Sequence, residues 1–216
     1  MSPKSGSAKR SRALSGSSWP ALVIDELLKD PDKLTLGGEE KELTVLFSDL
    51  EGFTTYSERY SPSEMISILS DCYNVMTEQI FHYRGTLKEY VGDEVMAFSG
   101  APLDHLDHAQ RVCRAALSMR EHRHALGVEW AKLGRPVLKA RTGINSGPMP
   151  IGNLGSKYRF AYGVIGDHLN LGSRLEGLNK MYGSEILIGE NTTPGQERIS
   201  AAQNRRDAGQ GARPVC

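Results

Sequence analysis

Two aspartates 44 positions apart are the first residues whose placement suggests chemistry. Asp49 closes a run of strand-forming residues, Leu43–Asp49, and Asp93 stands in the Gly92-Asp93 turn between two further runs, Thr86–Val91 and Glu94–Phe98. If those strands are neighbours, both carboxylates reach one sheet edge. Mg²⁺ takes hard oxygens, binds through one or two carboxylates with substrate phosphates, and keeps several waters, so two aspartates suffice. Taken alone, such a pair is more often simply what a strand end and a turn carry. The residues that follow Asp49 weigh against that reading: Leu50, Glu51, Gly52, Phe53 and Thr54 include a glycine that permits close backbone approach. They also lead to a helix start, where consecutive N–H groups can face an anion. A divalent ion beside a phosphate cradle suggests a nucleoside triphosphate.

Four segments extend the pattern: Thr44–Thr54 (TVLFSDLEGFT), Gly85–Ala97 (GTLKEYVGDEVMA), Arg141–Gly147 (RTGINSG) and Val164–Glu176 (VIGDHLNLGSRLE). Together they resemble the class III nucleotidyl cyclases, the adenylyl and guanylyl cyclases, over about Glu39 to Thr193. The resemblance implies a ferredoxin-like domain in which Asp49, Asp93 and the Leu50 carbonyl bind two divalent ions, Mg²⁺ or Mn²⁺. It also implies that Leu50–Thr54 binds phosphate, and that Asn170 and Arg174, four apart and so on one helix face, place the ribose and offset charge on the α-phosphate. The implied reaction is in-line attack of the ribose 3′-hydroxyl on that phosphorus, with release of pyrophosphate. Without the motif, Arg174 would read as a surface ion pair with an acid such as Glu176.

Two positions choose the purine in this family. The first is Glu89, three before Gly92. A carboxylate there accepts from guanine N1–H and N2–H and repels adenine N1. The neighbouring Lys88 should point to the opposite face of a regular strand and so take no part. The second is Gly163, three before Gly166; it lacks an acceptor for the adenine amine and leaves a backbone N–H for guanine O6. Both lean to GTP, so the expectation is a guanylyl cyclase making cyclic GMP in signal transduction. An adenylyl cyclase and a catalytically silent regulatory domain are the alternatives. The family also implies a homodimer with shared sites, metal acids from one chain and Glu89, Asn170 and Arg174 from the other, and an upstream sensor in a longer protein. After Thr193 nothing aligns with the roughly 30 residues by which the family closes its sheet.

These residues need a scaffold. Ser61-Pro62-Ser63-Glu64 supplies an N-cap, a proline at the first helical position and a capping-box acid. Met65, Leu69, Cys72, Met76 and Ile80 then recur at helical spacing until Gly85. A second helix is expected over about 104–126 through Ala109, Val112, Cys113, Ala116 and Leu117, and a third over Asp167–Tyr182 through Leu171, Leu175 and Leu178. Asn145-Ser146-Gly147-Pro148 reads as the turn of a hairpin joining strands Val137–Ile144 and Met149–Leu154, and Glu185–Ile188 as a last strand. Hairpins mixed with crossover helices point to an α+β sandwich, a sheet with helices on one face. His105, His108, His122 and His124 read as solvated helix positions.

Composition bounds the rest. The chain has 216 residues with Lys+Arg and Asp+Glu both at 26, enough for one domain with tails. The expected division is a basic disordered tail over 1–18, a connector helix over 19–38, the catalytic domain over 39–193 and an atypical tail over 194–216. Lys4, Lys9, Arg10 and Arg12 gather in the first twelve residues, and four arginines in 195–216 face only Glu197 and Asp207, leaving 13–194 with a charge of −6. That acidic core argues against nucleic acid. No apolar run approaches membrane-spanning length. Three widely spaced cysteines, Cys72, Cys113 and Cys216, fit a reducing compartment, by default the cytoplasm.

Overall fold

Leu43–Ser48 is buried at every residue rather than at every second one, and a strand buried on both faces needs cover on both. The computed structural model describes residues 38–154 and 161–192, so the expectations for 1–18, for nearly all of 19–38 and for 194–216 fall outside the described residues. The buried run is the centre of β1 (Gly38–Glu51). β1 lies between β3 (Glu94–Ser99) and β4 (Lys139–Asn153), antiparallel to both. β2 (Thr86–Val91) pairs with β3, β5 (Tyr162–Val164) runs antiparallel to β4, and β6 (Ile186–Ile188) runs parallel to it. The α+β class holds.

The two faces are covered differently. On one, Leu46, Val95, Ala97 and Ile144 pack against Met76 and Ile80 of α2 (Pro62–His82) and Val112, Ala116 and Met119 of α3 (His108–Lys132). On the other, Val45 and Phe47 meet α4 (Asp167–Tyr182), where a Cβ on Gly172 would fall 2.9 Å from Val45 and 3.2 Å from Phe47. Helices on a single face are therefore a failed expectation. Residue periodicity shows which stripe of a helix is apolar but not the sheet face it meets. Gly143 fixes the answer, since a Cβ there would lie 2.2 Å from the Gly172 carbonyl and the Glu176 amide. Only a glycine on β4 lets the α4 backbone come this close.

The expected hairpin at Asn145–Pro148 is also overturned. β4 runs unbroken opposite β1, from Glu51↔Lys139 to Gly38↔Gly152. Pro148 and Pro150 pair with Glu42 and Glu40, in a stretch where β6 has ended at Ile144 and β5 has not begun before Ile151. There β4 is locally an edge, the place a sheet tolerates a missing N–H. The helix signals fare better. Ser61 and Glu64 form the reciprocal capping box, with Ser61 N–H donating to Glu64 Oε2 at 2.9 Å and Pro62 opening the helix. α3 starts later and ends later than expected, running through Gly127, whose missing side chain leaves room for Val137. Gly52, in the left-handed region at φ 76°, leads into the short α1 (Phe53–Ser57).

Candidate active site

Asp49 lies near the end of β1, directly opposite Arg141 of β4, whose Nη2 donates to Asp49 Oδ2 at 2.9 Å. Arg141 Nε also faces Glu176 Oε1 of α4 at 3.0 Å, an ion pair without hydrogen-bond alignment. Asp93 sits in the two-residue turn between β2 and β3, closed by Val91↔Glu94, with Gly92 at φ 64° in the first turn position. The turn brings Asp93 within hydrogen-bonding reach of the Asp49 carboxyl, and its own amide and that of Leu50 donate to it. Asp49, Leu50 and Asp93 therefore converge.

The electrostatics of this corner are one-sided. Burial first, then the neighbouring Asp49, pushes the Asp93 carboxyl up to about 6. Burial, followed by Asp49, Glu176 and Asp93, pushes Glu94 up to about 7. Glu176 is also raised, by burial against the pull of Arg141. Carboxyls crowded so closely that each raises the next are short of positive charge, and a hard divalent cation is the partner this donor set fits. Among the described residues, no three His, Cys, Asp or Glu side chains gather into a metal-binding group, so protein ligation would rest on two carboxylates plus backbone.

Sequence reading missed a brace on this turn. The Tyr73 hydroxyl of α2 donates to the Gly92 carbonyl. Its ring stacks on Tyr90 at 4.2 Å, and the Tyr90 hydroxyl lies 2.6 Å from Thr77 Oγ1. Arg141, Glu94 and Glu176 were missed too; all three lie inside the motif segments, but nothing short of the β1–β4 register shows what Arg141 faces. In the Gly52 loop, the amides of Thr55 and Tyr56 donate to the Gly52 carbonyl. Helix geometry gives the Phe53 and Thr54 amides no acceptor within the helix.

The purine positions also converge, through a residue set aside in the sequence. β2 and β5 end the sheet path on opposite sides, about 19 Å apart if the sheet were flat. Yet a Cβ on Gly163 would fall 2.4 Å from Lys88 Cε, so the sheet curls to bring these edges together. Lys88 Nζ donates to Glu89 Oε1 at 2.7 Å. The expectation that Lys88 points away from Glu89 fails because the β2–β3 register slips between Leu87 and Glu89. Such a bulge lets neighbouring side chains share a side. Asn170 and Arg174 are exposed on α4, and the sequence alternative of an Arg174–Glu176 pair does not form, Glu176 being engaged by Arg141.

The histidines are only partly solvated. His108 is half-buried with Nδ1 2.7 Å from Thr44 Oγ1, tying α3 to β1, while His124 reaches Glu185 at 3.1 Å.

A curled mixed sheet that brings a carboxylate pair and a glycine loop to one corner defines the class as an α+β domain. This chain belongs to the adenylate and guanylate cyclase catalytic domain family, which matches residues 38–207. It is similar to adenylate cyclase 1 of Rhizobium meliloti (strain 1021), 37% identical over 147 residues, or 68% of this chain and 22% of that protein. Among solved structures, the guanylyl cyclase Cya2 is 34% identical with a TM-score of 0.67, covering 73% of this chain and 79% of the other. The adenylyl cyclase CyaB from P. aeruginosa is 36% identical with a TM-score of 0.67, covering 73% and 81%. The chain spans only about a fifth to a third of the full-length adenylate cyclases it matches. Cyclases of this class generally use divalent metal ions. Among the described residues no helix is long and apolar enough to cross a membrane.

Proposed function

We propose that this domain is a guanylyl cyclase, converting GTP to cyclic GMP and pyrophosphate as the output of a longer signalling protein in the cytoplasm. The observation that carries the cyclase reading is the convergence of Asp49, Asp93 and Leu50 beside the Gly52 loop. Asp49, Asp93 and the Leu50 carbonyl would hold two divalent ions, Mg²⁺ or Mn²⁺. Bound there, such ions favour the ionised ribose 3′-hydroxyl and neutralise the triphosphate. The Gly52 loop, within Leu50 to Thr54, receives the phosphates on the Phe53 and Thr54 amides, which have no acceptor within the helix. Asn170 holds the ribose, and Arg174 offsets charge that develops on the α-phosphate. Glu89, exposed on the sheet-edge strand β2, accepts from guanine N1–H and N2–H, and Gly163 offers no side-chain acceptor to an adenine amine.

The two sets of residues act across a homodimer, metal acids from one chain and Glu89, Asn170 and Arg174 from its partner, giving two equivalent sites. Incubating the purified protein with GTP or with ATP, each with Mg²⁺ or Mn²⁺, and quantifying cyclic product and pyrophosphate tests the reading. Cyclic GMP and pyrophosphate should form in equal amounts at a rate proportional to dimer concentration. Cyclic AMP as the main product would reassign the substrate to ATP. No cyclic product from either nucleotide would make the domain a silent regulatory module.

A further inference from the structure

Lys88 is a lysine whose chain length, exposure and partner all need explaining. It is the extra residue in the β2–β3 bulge, its side chain is 18% exposed beside a Glu89 that is 48% exposed, and its stem lies across Gly163. On a regular strand adjacent side chains leave on opposite faces, and a lysine that lays its stem on the protein keeps its ammonium for water or a polar partner. Glu89 is that partner at 2.7 Å. The bulge therefore presents a donor and an acceptor side by side.

Their order matters. The Watson–Crick edge of guanine runs from the O6 acceptor to the N1–H and N2–H donors, whereas adenine offers the N6 amine and then the N1 acceptor. Lys88 lies against Gly163, the position read for the 6-substituent, and Glu89 stands beside it for N1 and N2. A lysine at the 6-position matches guanine O6 and opposes the adenine amine. Resting on the guanylyl reading above, we propose that Lys88 is a specificity-determining residue that donates to guanine O6 while Glu89 accepts from N1–H and N2–H. In that arrangement Gly163 is glycine because the lysine stem occupies its side-chain space. Glu89 alone would leave O6 facing only a backbone amide.

The test uses nucleotides that differ only at the base edge. ITP keeps O6 and N1–H without the 2-amine, 2-aminopurine riboside triphosphate keeps the 2-amine without O6, and ATP completes the set. Affinities of their 3′-deoxy forms, which cannot cyclise, are measured with Mn²⁺ by titration calorimetry alongside kcat/KM for the parents. Lys88→Met keeps the stem and removes the donor. It should weaken GTP and ITP about tenfold or more, leave 2-aminopurine riboside triphosphate unchanged, and be partly rescued by Lys88→Arg. Gly163→Ala should copy Lys88→Met, because the methyl displaces the flexible lysine end, and should add little in the Lys88→Met background. Equal weakening of all four nucleotides by Lys88→Met, with an unchanged melting temperature, would overturn the assignment and leave GTP preference standing. A wild-type protein that binds the ATP form more tightly than the GTP form would overturn the assignment and the guanylyl reading together.

Discussion

The metal corner and the purine edge are both built from charged residues on β-strands, yet they are balanced in opposite ways. At Asp49 and Asp93 the carboxyls of Glu94 and Glu176 add to the charge, Arg141 is the cation ion-paired to the cluster, and Asp93 is pushed up to about 6. At the purine edge a bulge sets one ammonium on one carboxylate, Lys88 on Glu89. An unbalanced corner needs a cation from outside. A balanced pair can exchange its internal hydrogen bond for those of a neutral base and discriminate by the order of donor and acceptor. The same contrast separates Asp93 from Glu185. Burial raises the Glu185 carboxyl, but the hydrogen bond from His124 and the charge of Arg123 overcome it and hold the group below its usual range.

The largest break in this comparison comes at the metal corner. Asp49→Asn or Asp93→Asn should reduce cyclisation to background with an unchanged circular dichroism spectrum, because a neutral amide does not hold the ions. Mn²⁺ should raise the melting temperature of the wild type and not that of either variant. A Mn²⁺ shift that survives both substitutions would remove the metal role.

Mixing separates the two regions. Asp49→Asn and Arg174→Ala chains should each be inactive alone, and random pairing should restore roughly a quarter of wild-type activity, because one site of each heterodimer carries neither lesion. Recovery absent at concentrations where light scattering shows dimers would place both regions in one subunit.

At the purine edge, Glu89→Lys with Gly163→Asp exchanges acceptor for donor and adds an acceptor for the adenine amine. GTP turnover should fall and ATP turnover rise, shifting the ratio of kcat/KM values by about tenfold or more toward ATP. An unchanged ratio would contradict the base-reading assignment.

Smaller effects come from the braces. Tyr73→Phe keeps the stacking on Tyr90 but loses the bond to the Gly92 carbonyl. It should raise the Mn²⁺ concentration for half-maximal rate about fivefold while leaving saturated kcat within twofold, the mark of one lost hydrogen bond that positions Asp93. Glu185 acts on stability rather than on turnover. Its lowered pKa gives stability that is present above the ordinary carboxylate range and is lost as pH falls through the folded value. Glu185→Gln should cost about 1 to 2 kcal/mol at pH 7. The gap to wild type should close below about pH 4, read by urea titration at each pH.

What the chain displays in its residue order follows from how local each feature is. The capping box at Ser61 and Glu64, the Gly92-Asp93 turn and the span of α4 involve neighbours within a few positions, and spacing alone exposes them, whereas the residues α4 buries are Gly172, Glu176 and Asn179 rather than the Leu171, Leu175 and Leu178 stripe. The unbroken β4 strand depends on β1 pairing through Pro148 and Pro150, so local turn chemistry pointed the wrong way. Glu89, Gly163, Asn170 and Arg174 are visible as motif positions. The role of Lys88 is not, because it depends on a register slip and on the curl that carries β5 to β2. Arg141 is concealed in the same way, its partner Asp49 lying 92 positions away. Non-local pairing decides each of these, and a single sequence carries no direct record of it.

Together the metal corner and the Lys88–Glu89 edge would select GTP for cyclisation. Equimolar GTP and ATP in one tube with Mn²⁺ and wild-type protein, sampled at low conversion, give the ratio of the two kcat/KM values directly from the ratio of cyclic products. Cyclic GMP should be in excess by about tenfold or more. Cyclic AMP in equal or greater amount would contradict it.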